Sequence, residues 1–450
     1  MRSRTHKVLH EVAGRPLILR ALDLAAQIGV RSPVVVLGHL AEEVRAVLPP
    51  RVRTVVQQPQ LGTGHAVQVA ADLLRQDAAE RLLVLYGDSV LLRPETLRRL
   101  SEEQVGPDAP VALLTAHLTD PFGYGRVVRA QDGTVAGMVE EVEANETQRA
   151  IVEVWSGVML LWTPWLWERL PRLPRRSKGE HYLPDLVNIA RKEGRSVLAV
   201  LAKEEEEAQG VNDREQLAEA NAVLWRRKRS ELMQAGVSIL DPATTYIEPE
   251  VEIAPDVVVR PGCHLRGKTR IATGCDIGPD TEIVDSQIGE GSRVWRSVLE
   301  GAQVGRNVSV GPFSHLRPGA VVEDNVELGN YAEVKASRIG SGSKLHHFSY
   351  VGDAEIGQRV NIGAGTITCN YDGQRKHRTV VGDDSFIGSD TMLVAPVEIG
   401  EGARTGAGCV VTRDVPPGEV WAGVPARPLR QQPAPDTAGG QASREGIQDE

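Results

Sequence analysis

Aromatic residues make up only 4% of this 450-residue sequence, a bias that favours small aliphatic layers over a large aromatic core. Cysteine is scarcer still, with four residues. Cys263, Cys275, Cys369 and Cys409 include no Cys-x-x-Cys pair, which excludes zinc-ribbon and thioredoxin-like readings. No run is long and apolar enough to cross a membrane, and no signal-peptide pattern stands at the start. Free thiols without an export signal lead to the expectation of a cytoplasmic protein. A net charge of -9 argues against a general nucleic-acid or membrane-surface partner, while leaving room for a local basic pocket that takes a phosphorylated small molecule. Glycine is what abounds, with 45 residues, and it favours tight turns.

The first 200 residues alternate helix-like and strand-like runs. A helix pattern starts near Arg15 with nothing strand-like before it, and the first clear strand is "PVVVLG" at 33–38. "AEEVRAVL" and "GTGHAVQVAADLLR" read as helices, and "RVRTVVQQ", "RLLVLYGD" and "VALLTAHL" read as strands. That order predicts a mostly parallel sheet covered by helices. The acidic run Glu204–Glu207 reads as a solvated turn. From Asn212 to Gly236, the residues Leu217, Asn221, Leu224, Lys228 and Leu232 mark one partly apolar helix face. The expected organisation is an α/β domain over 1–210, a linker helix over 211–236, a repeat domain over 237–430 and a disordered tail over 431–450.

After Asp241 the period changes. Val259, Leu265, Ile271, Ile277 and Ile283 recur every six positions, as do Val298, Val304, Val310, Leu316, Val322, Leu328 and Val334. After the interruption "CNYDGQRKHRT" the step resumes with Val381, Ile387, Leu393 and Ile399. A period of six belongs neither to a helix nor to an ordinary strand. It marks a parallel β-helix, in which each flat face is a short strand and each aliphatic side chain stacks on its counterpart one coil away.

Residues 18 apart stand above one another in such a prism. Arg317 and Lys335 therefore form a vertical basic pair able to hold a phosphate, or two solvated surface cations. His347 follows in the next coil. Moving an acetyl group from a thioester to an amine needs a base, a task suited to histidine.

The stretches "LRPGA", "EVKAS", "HHFSYVGDAEIG" and "VNIGAGTITCNYDG" resemble those of the bacterial bifunctional enzymes that acetylate glucosamine-1-phosphate and then uridylylate the product to UDP-N-acetylglucosamine. The resemblance runs from residue 1 to about 430. It implies a Rossmann-like nucleotidyltransferase domain followed by a left-handed β-helix, working as a homotrimer with sites between subunits. By that resemblance His347 is the general base. Arg317, Lys335, Tyr350 and Asn361 hold the sugar phosphate, and Asn370 places the amine. Ala364, Ser389, Ala407 and Arg427 contact acetyl-CoA, and Tyr371 and Lys376 on the interrupting loop close that site. In the first half, "QQPQLGTGHAV" places Gln57, Gly62 and Thr63 on the uracil-reading positions. "GYGR" brings in Gly125, and Glu140 and Lys7 complete the contacts to nucleotide and sugar. Asp88 in "YGD" and Asn212 in "GVN" are the implied magnesium ligands.

The first half also departs from the family pattern. The family's first strand and its Gly-rich phosphate loop, ending Gly-Thr-Arg-Met, have no counterpart before Lys7. His6 replaces a proline, Val90 stands near a usual proline, and Trp155 stands where an asparagine contacts the sugar. Either the start is assigned too far downstream, which leaves these three replacements unexplained, or the site has diverged. Divergence predicts weak or no uridylyl transfer. A lost strand predicts an unfilled position within the sheet. Two rivals remain. One is a non-catalytic binding or regulatory subunit. The other is a zinc hydratase using His315, His346 and His347, which the opposite facing of adjacent strand residues disfavours.

Overall fold

In the computed structural model, which describes residues 1–176 and 179–429, the chain divides between Lys228 and Arg229 into two units. The tail expected at 431–450 lies outside the described residues.

The first unit opens with β1 (Glu11–Val12) and β2 (Arg15–Pro16), a two-residue antiparallel pair turned at Ala13 and Gly14. The sequence reading placed no strand here, because two residues are too few to show a period. There follow α1 (Leu17–Gln27), β3 (Val34–Leu37), α2 (Ala41–Val47), β4 (Arg53–Val56), α3 (Gly62–Arg75), β5 (Arg81–Val84), α4 (Pro94–Glu102) and β6 (Val111–His117). Then come β7 (Arg126–Arg129), β8 (Val135–Val139), α5 (Glu146–Arg149), β9 (Glu153–Trp162), α6 (Thr163–Arg169), α7 (Asp185–Lys192), β10 (Val197–Leu201) and α8 (Arg214–Gln234).

The expectation of a mostly parallel sheet is corrected. Only β10–β6 and β3–β4 pair in parallel, whereas β9 runs antiparallel to β5, β6 and β7, and β7 pairs antiparallel with β8. The cause lies in "AQDGT": Gly133, at φ 82, turns β7 straight back as a hairpin. The long apolar β9 then enters against the direction of its neighbours. A strand's direction is not written in its own composition.

Strand β3 pairs only with β4, in a sheet of their own, and β5 pairs only with β9. A cavity of about 1750 Å³ is lined by both edges, through Val34–Leu37 and Leu82–Leu85, and by Ala21, Ala25, Ala66 and Ala70 from the helices. Among the described residues no ladder joins β3 to β5.

The run Glu204–Glu207 is not a solvated turn. Glu207 is 1% exposed, accepting from the Arg93 backbone N–H and the Thr96 hydroxyl, and Glu204 pairs with Arg93 and Arg227. Four like charges in sequence are tolerated because arginines from α8 and from the start of α4 neutralise them. On α8, Leu217 and Leu224 pack against a cluster with Val12, Leu17 and Leu91, and Asn221 Oδ1 accepts from Ala13 N at 2.7 Å.

The second unit is a left-handed parallel β-helix with three faces, carrying 12, 10 and 9 strands. On one face Leu265 stacks on Ile283, then Leu299, Leu316, Val334 and Val351, all at most 1% exposed. Each such side chain contributes roughly 1.5–3 kcal/mol by leaving water. Val298 was expected in this row. It is half-buried instead, and Leu299 points inward, because a shortened coil slips the register by one residue.

Candidate active sites

The residues that close each coil of the ten-stranded face gather into a column. Arg317 follows the strand His315–Leu316, Lys335 ends Ala332–Lys335, and Asn370 follows Ile367–Cys369. Parallel pairing of successive coils sets them above one another, as the spacing of 18 implied. Each cation has a carboxylate beside it: Arg317 Nη1 lies 2.9 Å from Glu333 Oε1, and Lys335 Nζ lies 3.4 Å from Asp353 Oδ2. Asn370 Nδ2 donates to that same Asp353 oxygen at 2.5 Å and reaches the Tyr350 hydroxyl at 3.5 Å. Neither Glu333 nor Asp353 was among the site residues read from sequence. The signal for Asp353 was present, since it stands 18 positions beyond Lys335.

The interrupting loop brings Lys376 to the same column. Lys376 is held below the usual lysine range, by its hydrogen bond with Lys335 and that neighbour's charge, with Arg317 adding to the effect. The loop is pinned by Asp372, which accepts from the Gln374 and Arg375 backbone N–H groups at 2.7 Å and meets His377 Nε2 at 2.6 Å. These contacts hold the Asp372 carboxyl well below the usual range. Tyr371 is exposed and donates to Gly373 O at 2.7 Å, within the loop itself.

A second column occupies the opposite edge of the face. His347, Ala364, Ser389 and Ala407 each stand just before a strand, and the turns are tied by Gly365 N to Phe348 O, Asp390 N to Ala364 O and Gly408 N to Ser389 O. His347 is exposed. Asn361 stands on the twelve-stranded face between Lys344 and Phe386, and Arg427 at the last strand pair of that face. Asn361 thus lies on the strand that leads into the second column, three residues before Ala364, and Arg427 lies on the last strand of that same face.

The zinc reading fails on geometry. His346 pairs with Glu327 and His315 with Glu300, and among the described residues no three such side chains are placed to hold a metal.

The first-half candidates line one cavity: Lys7, Gln57, Gly62, Thr63, Asp88, Gly125, Glu140 and Asn212. Gln57 Nε2 donates to Gly62 O at 2.9 Å. Gly62, at φ +88, is required: a Cβ would meet His181 O at 2.7 Å. Thr63 Oγ1 accepts from Leu183 N at 3.0 Å. Burial pushes the Glu140 carboxyl up, with Glu143 and Asp185 adding to it. Asp88 Oδ2 and Asn212 Oδ1 converge on the Lys7 ammonium, the latter at 2.9 Å. Two oxygen donors that already meet at one cation suit a hard divalent ion such as magnesium. Trp155 was read as filling the sugar position. It forms part of the wall, with its indole N–H bonded to Val158 O at 2.8 Å and its ring edge-on to Tyr86.

No helix among the described residues is long and apolar enough to cross a membrane. Residues 1–193 match the MobA-like NTP transferase domain, and residues 301–336 and 378–413 match the bacterial transferase hexapeptide family of six repeats. The bifunctional protein GlmU of Trichlorobacter lovleyi is 46% identical over 421 residues, 93% of this chain and 91% of that protein. That of Exiguobacterium sp. is 44% identical over 92% of each chain, and that of Heliobacterium modesticaldum 45% identical over 93% of this chain and 91% of its own. The matches run through both halves and do not single out the first as decayed. With an NTP transferase domain, stacked hexapeptide coils and relatives matched almost end to end, the chain is a transferase of the bifunctional GlmU family.

Proposed function

We propose that the chain acetylates glucosamine-1-phosphate from acetyl-CoA on its β-helix and uridylylates the product in its first unit. The observation that carries the first reading is the column of Arg317, Lys335 and Lys376, which gathers more positive charge than Glu333 and Asp353 offset. Such a site calls for an anion, and a sugar phosphate supplies one.

The amine must reach the thioester unprotonated. His347 takes the ammonium proton, the nitrogen lone pair attacks the carbonyl carbon, the C–S bond breaks, and the coenzyme A thiolate leaves to be protonated. The column of Ala364, Ser389 and Ala407 above His347 offers small side chains and backbone groups along which acetyl-CoA lies. His347 and the cation column are separated by one strand, Ser349–Gly352, about 13 Å at 3.3 Å per residue. Asn361 and Arg427 lie on another face. A ring of identical copies, edge to edge, brings such separated parts together, and a homotrimer suits a three-sided prism.

The second reading rests on the eight candidates that share one cavity. There Gln57, Gly62 and Thr63 bind the uracil, Gly125 and Glu140 the sugar, and Lys7 the triphosphate. Asp88 and Asn212 would hold Mg2+, which when bound neutralises the triphosphate's charge.

The test is the two half-reactions on the purified chain. Acetyl transfer is expected with acetyl-CoA and glucosamine-1-phosphate, and its loss in His347→Ala with the assembly unchanged. Acetyl transfer that persists in His347→Ala removes the base assignment. A chain inert with this pair supports the non-catalytic rival. Pyrophosphate release from UTP and N-acetylglucosamine-1-phosphate with Mg2+ is expected, and to be lost in Asp88→Asn. No release from the unaltered chain would return the first unit to the weak-activity reading.

A further inference from the structure

We propose that Asp353 is a positioning residue of the acetyl-transfer site, whose single carboxylate oxygen fixes the orientation of the Asn370 carboxamide and the place of the Lys335 ammonium. This rests on the acetyl-transfer reading of the β-helix.

Asp353 stands at a coil corner in the left-handed backbone region, φ 50. The corner does not need a carboxylate. Gly301, Gly319 and Ala336 hold the same corner in neighbouring coils, also at positive φ. Asp285, another aspartate of this column, uses its carboxylate on the backbone, accepting from Lys268 N at 2.8 Å. Asp353 differs. Its Oδ2 accepts from Asn370 Nδ2 at 2.5 Å and from Lys335 Nζ at 3.4 Å, two side chains placed on the substrate.

A carboxylate only accepts hydrogen bonds, so the face of Asn370 turned to it must carry the amide N–H. The carbonyl Oδ1 is then presented on the other side. An acceptor there can hold one N–H of the substrate amine while His347 of a neighbouring copy removes the ammonium proton, which aims the nitrogen lone pair at the thioester carbon. Asn370 is 8% exposed, so the surroundings restrict any other placement. Without Asp353 the carboxamide can turn over and offer a donor to the ammonium, which repels it. The same oxygen keeps Lys335 within the column rather than extended into water.

The experiment uses the full chain and the variants Asp353→Gly, Asp353→Asn, Asn370→Ala and the double Asp353→Gly/Asn370→Ala. Glycine suits the corner's φ, and asparagine keeps an acceptor oxygen. In Asp353→Gly, kcat for acetyl transfer is expected to fall about ten- to hundredfold, with KM for acetyl-CoA and the assembly unchanged. Asp353→Asn should recover most of that loss. In kcat the double variant should be no slower than Asn370→Ala, because the aspartate acts on the reacting amine through the asparagine, while its hold on Lys335 is read in KM for the sugar phosphate. An Asp353→Gly kcat within about twofold of the unaltered chain overturns the proposal, as do losses that multiply in the double variant. If Asp353→Gly disassembles and Asp353→Asn, intact, is as slow, the acceptor is not what matters and the proposal falls. An unaltered chain without acetyl transfer removes the site reading and this proposal with it.

Discussion

At Lys376 the electrostatics of the site become measurable. Its ammonium is destabilised by Lys335 and Arg317 in the free site, so it loses its proton below the usual lysine range. A bound phosphate reverses this by adding negative charge, which raises the pKa again. Between the free and the bound value, binding therefore takes up a proton. Calorimetry of glucosamine-1-phosphate binding in buffers of different ionisation enthalpy, at a pH just below the lysine range, should show net uptake. The uptake should vanish in Lys376→Met. Release, or no exchange, would contradict the shift. Arg317 allows a second measurement. Its loss removes a charge-assisted bond worth about 1.5–3 kcal/mol, so Arg317→Met should raise KM for the sugar phosphate about ten- to hundredfold and leave that for acetyl-CoA alone. The Arg317–Lys335 stack was legible in the sequence because a period of six turns spacing directly into height. The same spacing set Asp353 above Lys335, but the pairing of Arg317 with Glu333, 16 positions on, was not legible, since it depends on which way each side chain leans at the corner.

The elements of the first unit show where sequence periodicity stops informing. Helix α3 covers Gly62–Arg75, the stretch read as a helix, and each expected strand exists. Strand direction was not legible, because β9 owes its antiparallel course to the hairpin before it. Nor was the burial of Glu207, whose partners Arg93 and Thr96 lie more than 110 positions away. The interruption between β3 and β5 has a consequence for stability. A strand paired on one side only, as β3 is with β4 and β5 with β9, leaves its other edge's backbone groups without a ladder. The β-helix has continuous ladders on all three faces. Limited proteolysis should cut within 33–85 before it cuts the described coils, and hydrogen exchange in β3 and β5 should be faster than in β6 and β9. Equal protection of the two sets would show that the gap carries no local weakness. Inside the coils the same logic gives large penalties: Leu316→Ala, at a side chain 0% exposed, should cost about 2–5 kcal/mol, read as a lowered denaturation midpoint.

For the whole molecule, the aromatic scarcity noted in the sequence sharpens one feature. Few rings are present, yet Phe313 and Tyr331 stack at 5.3 Å on the outside of the prism, 49% and 58% exposed, and Phe348 follows in the next coil at 59%. They climb the edge that leads to His347. A ladder of exposed rings on coils whose core is aliphatic gains little unless another surface covers it. A second copy of the chain would bury the rings and carry its own column of residues to this edge, as the proposed ring of copies requires. The double variant Phe313→Ser/Tyr331→Ser touches no residue placed on a substrate. It should break the proposed homotrimer into monomers in light scattering and depress acetyl transfer steeply. Pyrophosphate release by the first unit should survive, since its candidate residues share one cavity within a single chain. A trimer that persists in this variant, with acetyl transfer intact, would move the interface to another face of the prism.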